Sequence, residues 1–325
     1  MEQATRRIVI TDNFPAFFRG TTDADVGDLR PFGDVVMYDT PPSDAEEVAR
    51  RLSGADALIF LRRHWKLDGD VLARAPRLRV VSFPGVNPDH IDLQAAASRG
   101  VLVCNVPGAN AISVAEHALA LTFAVARLLP LADRDLRNGE WRKRNGVELY
   151  GKTLGVLGLG AVGSHMARLG SGVGMRVVAW SFRDDPERAA RLGVRLVPRD
   201  ELFETSDVVS IHLRATPESQ HMVGRRALAR MKPGAILVNT ARGALVDEEA
   251  LVEALESGHL AGAGLDVFAQ EPLRRGASRL IELDNVVATP HMADETREAD
   301  ARLRHEVVAN VIAFFQGQPR NVLGR

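Results

Sequence analysis

Residues 153–163 read TLGVLGLGAVG, and SHMARLGSG follows at 164–172. The apolar run predicts a short strand, and the spacing of the residues after Gly163 predicts a helix. Gly158, Gly160 and Gly163 stand at the junction. In such a turn the first glycine permits a tight bend, the second lets backbone amides approach a pyrophosphate, and the third lets helix pack on strand, so that the helix N-terminus faces the anion. Three glycines alone would be a weak signal. Set between a strand and a helix, with a further strand MRVVAW (175–180) at the proper distance, they identify a dinucleotide-binding turn rather than a structural one. Ala161 and Val162 fill the variable places; Ala161 offers no side-chain contact to a pyrophosphate, which leaves the backbone amides to bind it.

Outward from this turn the chain alternates apolar runs with helical spacing. DVVSIHL (207–213), GAILVNT (234–240), AGAGLDV (261–267) and NVVATPH (285–291) continue the series downstream. Upstream, RRIVI (6–10), DVVMY (34–38), ADALIF (55–60), LRVVSF (78–83) and VLVCN (101–105) form a first series, interrupted by SDAEEVARRL (43–52) and DGDVLARA (68–75). Strands alternating with helices predict parallel sheets, so the fold class is α/β with two doubly wound units. Only the second unit has a glycine loop, which makes it the cofactor domain and the first the substrate domain. Between them, SVAEHALALTFAVARLL (113–129) places Val114, Ala118, Leu121, Val125 and Leu128 on one helix face, with Ser113 as its expected N-cap. Glu116 and His117 on that helix are expected in exposed or cap-adjacent roles. The last segment, 296–317, is amphipathic, and its natural packing partner is the first domain.

Composition narrows the function. The 325 residues are 46% apolar and 26% charged, as in a soluble globular protein, and 41 basic against 42 acidic residues leave a net charge of −1. That balance offers no field to draw in nucleic acid or an anionic membrane. Of the basic residues 37 are Arg and four are Lys, so a single Arg carries little weight. The one cysteine, Cys104, cannot form an internal disulfide, and no Cys-based metal site is possible. With no signal-peptide pattern at the N-terminus and no uninterrupted apolar span, a cytoplasmic location is expected.

Three ionisable residues follow apolar strands of the second series: Arg242 after ILVNTA, Glu271 beyond LDV, and His291 after NVVATP. Each alone would be an ordinary surface residue. The carboxyl edge of an open α/β sheet is where ligands bind, so three arriving there behind a dinucleotide turn suggest one catalytic site. At the end of MRVVAW, where an acid would accept the ribose hydroxyls of NAD, stand Ser181, Phe182, Arg183, Asp184 and Asp185. A hydroxyl and an Arg at this turn can bind the 2′-phosphate of NADP, although in so Arg-rich a chain Arg183 can equally be a solvated residue.

At these residues the chain resembles the D-isomer-specific 2-hydroxyacid dehydrogenase family. The matching phrases, in family order, are VAEHALAL, GKTLGVLGLGAVG, SDVVSIHL, LVNTARGALVDEEAL, AGAGLDVFAQEPL and NVVATPH, within residues 80–315. The resemblance implies an NAD(P)-dependent oxidoreductase that moves a hydride between nicotinamide and a small 2-keto or 2-hydroxy acid, such as glyoxylate or hydroxypyruvate. It implies a flavodoxin-like substrate domain made of both chain ends (1–106 and 293–325), a Rossmann-type cofactor domain (107–292), and a linking, dimer-forming segment at 113–150, hence a homodimer. By position, Arg242 resembles the arginine that holds the substrate carboxylate and carbonyl, Glu271 the orienting acid, His291 the general acid/base, and Asp266 the residue that binds the nicotinamide amide. The chemistry suits these types: an imidazole supplies the proton, a paired carboxylate fixes its tautomer, and Arg presents a planar fork.

The chain also departs from the family pattern. Its substrate-carboxylate loop reads Gly85, Val86, Asn87, Pro88, with Asn87 in place of a second glycine. The amides of Val86 and Asn87 still suit a carboxylate. Met292, Ala293, Asp294 and Glu295 follow the histidine where small residues are usual, and acids there, where they face inward, disfavour a second substrate carboxylate. Arg62, Arg63 and His64 are further candidates for the pocket wall. Two other readings stand beside this one: a dinucleotide-sensing, corepressor-like protein, against which the complete Arg, Glu and His set argues, and an enzyme of formate or phosphite, of which the formate reading is opposed by Glu271, since formate enzymes carry Gln there.

Overall fold

The computed structural model describes residues 6–14, 16–20, 22–61, 65–274 and 276–324. Arg62, Arg63 and His64 lie outside the described residues. The chain divides into two compact units, Met1–Asn110 with Thr296–Arg325, and Ala111–Glu295.

The first unit alternates β1 (Arg7–Thr11), α1 (Ala24–Gly27), β2 (Asp34–Met37), α2 (Ala45–Leu52), β3 (Ala57–Phe60), α3 (Gly69–Ala73), β4 (Val80–Ser82), α4 (Leu93–Ser98) and β5 (Leu102–Cys104). Its strands pair in parallel in the order β2-β1-β3-β4-β5, the flavodoxin-like order. Period-two alternation feeds both faces: Ile8 and Ile10 enter one buried cluster and Val9 the other. Aspartates start the helices, with Asp44, Asp68 and Asp92 each accepting backbone N–H groups of the first turn. The C-terminal helix, Arg297–Phe315, returns to cover one face with Val307, Val308 and Val311. Its buried Asn310 donates from Nδ2 to Ser82 Oγ at 3.2 Å and to the Asn105 carbonyl at 3.0 Å, so both chain ends build this unit.

The second unit runs α5 (Ala111–Ala126), α6 (Leu129–Arg137), β6 (Thr153–Leu157), α7 (Ala161–Gly172), β7 (Arg176–Trp180), α8 (Pro186–Leu192), β8 (Arg195–Leu196), α9 (Arg199–Thr205), β9 (Val208–Ile211), α10 (Arg225–Arg230), β10 (Ala235–Asn239), α11 (Glu248–Glu256), β11 (Leu260–Leu265) and β12 (Val286–Ala288). The parallel order is β12-β11-β10-β9-β6-β7-β8, which reverses direction at the β9/β6 boundary. That reversal opens a crevice at the carboxyl edge, and the glycine loop leaves β6 there. These are the two doubly wound sheets expected from the sequence.

Helix α5 differs from expectation at its start. It begins at Ala111, so Ser113 is a buried interior residue and not the N-cap. The helix seats on β11 through glycines: a Cβ at Gly262 would lie 2.7 Å from Val125 Cγ1, and one at Gly264 would lie 2.8 Å from Leu121 Cβ. Helices α5 and α6 meet at a 61° bend, and among the described residues no single helix is long and apolar enough to cross a membrane.

Candidate active site

Each glycine of the loop does a different job. Gly158 has φ +105°, and a Cβ there would lie 2.6 Å from the His212 carbonyl oxygen. At Gly163 a Cβ would lie 1.9 Å from the Gly158 oxygen, so helix α7 touches the turn backbone to backbone. Above Gly160, in contrast, a Cβ would meet nothing within 4 Å. Gly160 is also the N-cap of α7 and supplies no side-chain bond, which leaves the first N–H groups of a twelve-residue helix for an anion. The turn therefore fits a dinucleotide pyrophosphate.

Three loops from neighbouring strands carry the ionisable residues; the structure pairs Glu271 with His291, whereas Arg242 Nη1 donates to the Ala241 carbonyl at 2.6 Å and bonds to neither. Arg242 follows β10, where the buried Asn239 accepts the Ala241 N–H at 3.0 Å and donates to the Arg242 carbonyl at 2.9 Å. The next residue, Gly243, presses on the loop after β11, since a Cβ would lie 1.9 Å from the Phe268 carbonyl carbon. That second loop carries Glu271, whose Oε1 accepts the Phe268 N–H at 2.9 Å while Oε2 lies 2.6 Å from His291 Nδ1. A carboxylate can only accept, so the Nδ1 proton points at Glu271 and Nε2 is left for a reacting group. His291 and Glu271 remain partly open, at 42% and 32% side-chain exposure, beside a cavity of about 570 Å³ walled by Phe268, Leu273, Ile281 and Pro290.

His291 has φ +52°, a left-handed conformation that costs a non-glycine residue on the order of 1–3 kcal/mol. Asp266 holds it there. Its carbonyl accepts the His291 N–H at 2.8 Å, and its fully buried carboxylate accepts the N–H of Met292 at 3.0 Å, the N–H of Ala293 at 2.9 Å and the hydroxyl of Thr289. These donors leave one of about four lone-pair sites for an amide. Behind Thr289 stands His117 of α5, its Nε2 2.9 Å from Thr289 Oγ1. Glu116 is exposed as expected, but His117 is partly buried and bonded, because its helix face packs on the strands that lead into this loop.

At the end of β7, Ser181 Oγ accepts the Leu159 N–H at 2.7 Å and so braces the glycine loop. Asp185 caps α8 and pairs with Arg188 at 3.1 Å, and Arg188 also donates to the Leu159 carbonyl. Arg183 is exposed and has no ion-pair partner among the described residues. Sequence reasoning missed His212, at the carboxyl end of β9 beneath the loop, although the rule that found Arg242 also points to it. Burial pushes its imidazole down to about 3, so it stays neutral near physiological pH. In the first unit, Gly85, Val86 and Asn87 follow β4. The Gly85 carbonyl accepts the Val106 N–H and the Val86 carbonyl accepts Asn105 Nδ2, while the N–H groups of Val86 and Asn87 have no partner among the described residues.

A parallel sheet with a glycine turn at its reversal point and a carboxylate–imidazole pair on the same edge defines a dinucleotide-binding unit equipped for acid/base chemistry. Residues 119–293 match the family described as D-isomer specific 2-hydroxyacid dehydrogenase, NAD binding domain. The chain is 41% identical over 296 residues to a glyoxylate reductase of Korarchaeum cryptofilum, covering 88% of each protein. It is 44% identical over 277 residues to the D-3-phosphoglycerate dehydrogenase of Mycobacterium tuberculosis, covering 85% of this chain and 52% of that one. It thus spans about half the length of the D-3-phosphoglycerate dehydrogenase it matches. The TT0316 protein from Thermus thermophilus superposes with a TM-score of 0.84 at 37% identity, over 98% of this chain and 100% of that one. The chain belongs to the D-isomer specific 2-hydroxyacid dehydrogenase family.

Proposed function

We propose that the protein is an NAD(P)-dependent oxidoreductase that reduces a small 2-keto acid of the glyoxylate or hydroxypyruvate kind, or oxidises the matching 2-hydroxy acid. The observation that carries this reading is the His291–Glu271 pair, held at the same sheet edge as a glycine loop open to a pyrophosphate. A bound nicotinamide supplies hydride transfer at the carbon bearing the substrate oxygen. His291 gives its Nε2 proton to that oxygen as negative charge grows there, and takes it back in the reverse direction. Glu271 keeps the Nδ1 proton and the ring orientation, and stabilises the charged imidazole between turnovers. Arg242 offers a planar fork to the substrate carboxylate and carbonyl, a geometry that Lys cannot copy. In the first unit the N–H groups of Val86 and Asn87, without a partner among the described residues, suit a substrate carboxylate.

Gly158, Gly160, Ala161, Val162 and Gly163 are assigned the pyrophosphate through backbone amides. Asp266 first orders the His291 loop, and its remaining lone pair suits the nicotinamide amide once the buried carboxylate is uncovered. For the adenosine end we favour NADP. Asp185 is already committed to Arg188 and to a helix cap, whereas Arg183 is uncommitted and able to pair with a 2′-phosphate. Ser181, whose oxygen braces Leu159, still has a proton to donate. We further read the protein as a cytoplasmic homodimer joined through residues 113–150, supported by Leu129, Leu136, Trp141 and Tyr150, all large, apolar and exposed there.

The test is a panel of glyoxylate, hydroxypyruvate and pyruvate with NADH and NADPH, and 3-phosphoglycerate with the oxidised cofactors, followed by nicotinamide absorbance. Turnover of glyoxylate or hydroxypyruvate is expected. Turnover of 3-phosphoglycerate alone would replace the substrate and keep the chemistry. Tight cofactor binding with no turnover at all would favour a sensor that has kept the fold.

A further inference from the structure

The contacts that hold His291 have a far end for which the proposed reaction has no use. His117 Nε2 lies 2.9 Å from Thr289 Oγ1 and 3.6 Å from Asp266 Oδ1, with a side chain 21% exposed. Thr289 has one hydroxyl proton, and it goes to Asp266, which as a carboxylate has none to return. The Thr289 oxygen can then only accept, so His117 must carry a proton on Nε2. Every bond in the chain acquires a direction: His117 to Thr289, Thr289 to Asp266, and the N–H groups of Met292 and Ala293 to the same carboxylate. The Asp266 carbonyl meanwhile takes the N–H of His291. Thr289 lies two residues before His291, and Met292 directly follows it, so the chain grips the left-handed turn from both sides.

We propose that His117 is a positioning residue: by orienting Thr289 against Asp266 it holds residues 289–293 in the turn that presents His291 to Glu271. The proposal rests on His291 acting as the acid/base group. Packing alone does not call for an imidazole at this place, since the neighbouring α5 positions against the sheet, Ala118 and Leu121, are filled by aliphatic side chains. A Leu at 117 would fill similar space and donate nothing. Thr289 would then be free to turn its hydroxyl, and the anchor of the turn would loosen. Displacement of a reacting group by about 1 Å can cost on the order of 100-fold in rate.

Three readouts on the purified full-length chain test this. In wild type, nitrogen NMR of the histidine rings should find His117 protonated on Nε2. In His117→Leu, amide hydrogen exchange at His291, Met292 and Ala293 should speed up by about tenfold or more, while the β6 and β7 amides keep their protection. With the best 2-keto acid of the panel, kcat should fall by about 10- to 100-fold with KM and cofactor Kd nearly unchanged. His117→Gln, which keeps an N–H donor at similar reach, should recover most of kcat. Thr289→Val should act like His117→Leu, and the double variant should be no worse than either single one, because both cut the same chain. Should His117→Leu fail to fold, Thr289→Val against Thr289→Ser decides by the same exchange and kcat readouts. An Nδ1–H tautomer at His117, or wild-type exchange and kcat in the folded His117→Leu protein, overturns the proposal alone. Full activity in His291→Ala overturns the reaction assignment and the proposal with it.

Discussion

Replacing Gly160 and Gly163 by alanine should separate the part of the glycine loop that serves a ligand from the part that serves the fold. Gly160 has φ −78° and ψ −156°, which an L-residue adopts without strain, and its Cβ would meet nothing within 4 Å. Alanine there gains about 0.4–1 kcal/mol by restricting the unfolded chain and loses roughly as much as a poorer helix cap. The two nearly cancel, so the cofactor-free melting temperature should stay within about 3 °C of wild type. The methyl group occupies the space above the helix N-terminus that a pyrophosphate would fill. Loss of at least one charge-assisted hydrogen bond, about 1.5–3 kcal/mol, corresponds to a Kd for NADH or NADPH about 10- to 150-fold weaker. Gly163→Ala should show the opposite signature, because its Cβ would lie 1.9 Å from the Gly158 oxygen, a backbone atom that cannot swing away. Forcing α7 outward costs about 1–3 kcal/mol of stability. Thermal melts with and without cofactor, and titration calorimetry of NADH and NADPH, give both numbers. Unchanged affinity in Gly160→Ala would refute the assignment of this loop to the pyrophosphate.

His291→Ala should lose about 100- to 10,000-fold in kcat while the Kd for NADPH stays within a few-fold, as measured by steady-state rates and calorimetry. Ser181→Asp and Arg183→Ala should each lower kcat/KM for NADPH more than for NADH, by roughly tenfold or more, the first through repulsion of the 2′-phosphate and the second through loss of its partner; Arg183→Ala without effect would return Arg183 to the solvated surface. Asp207 accepts the Thr153 N–H at 2.7 Å and pairs with Lys232 at 3.2 Å; burial works to raise its carboxyl, but these partners outweigh it and hold the group below the usual 3.8. Because the folded value is the lower one, its contribution is complete at neutral pH and is lost as pH falls below 3.8 through the folded value. Asp207→Asn should therefore be less stable than wild type in urea melts at pH 7, with the gap closing in acid.

Much of the fold was legible because its strands are buried on both faces, which produces dense runs of Val, Ile and Leu such as residues 8–10 and 208–211. The two-residue strand β8 was not, since Arg195 and Leu196 are too few to show any period. The start of α5 is hidden in the sequence for a related reason. Ser113 looks like a cap by type, but Ala111 and Ile112 continue the helix without breaking its apolar spacing, and only the backbone shows where it begins.

The candidate site was legible to the extent that its residues stand at strand ends. Arg242, Glu271 and His291 all follow strands of one parallel sheet, and a polar residue in that position is drawn to the crevice by topology alone. His212 obeys the same rule at β9, but burial makes it a neutral group beneath the loop and not an ionised one at its mouth, a difference the sequence does not display. The support behind His291 has no such signature. His117 and Thr289 are 172 residues apart, and their bond depends on α5 lying close over the glycine-lined strand β11. In the sequence, Gly262 and Gly264 look only like weak points of a strand; in the fold they admit the helix that brings His117 to the loop, so that the support depends on side chains whose absence cannot be read as function.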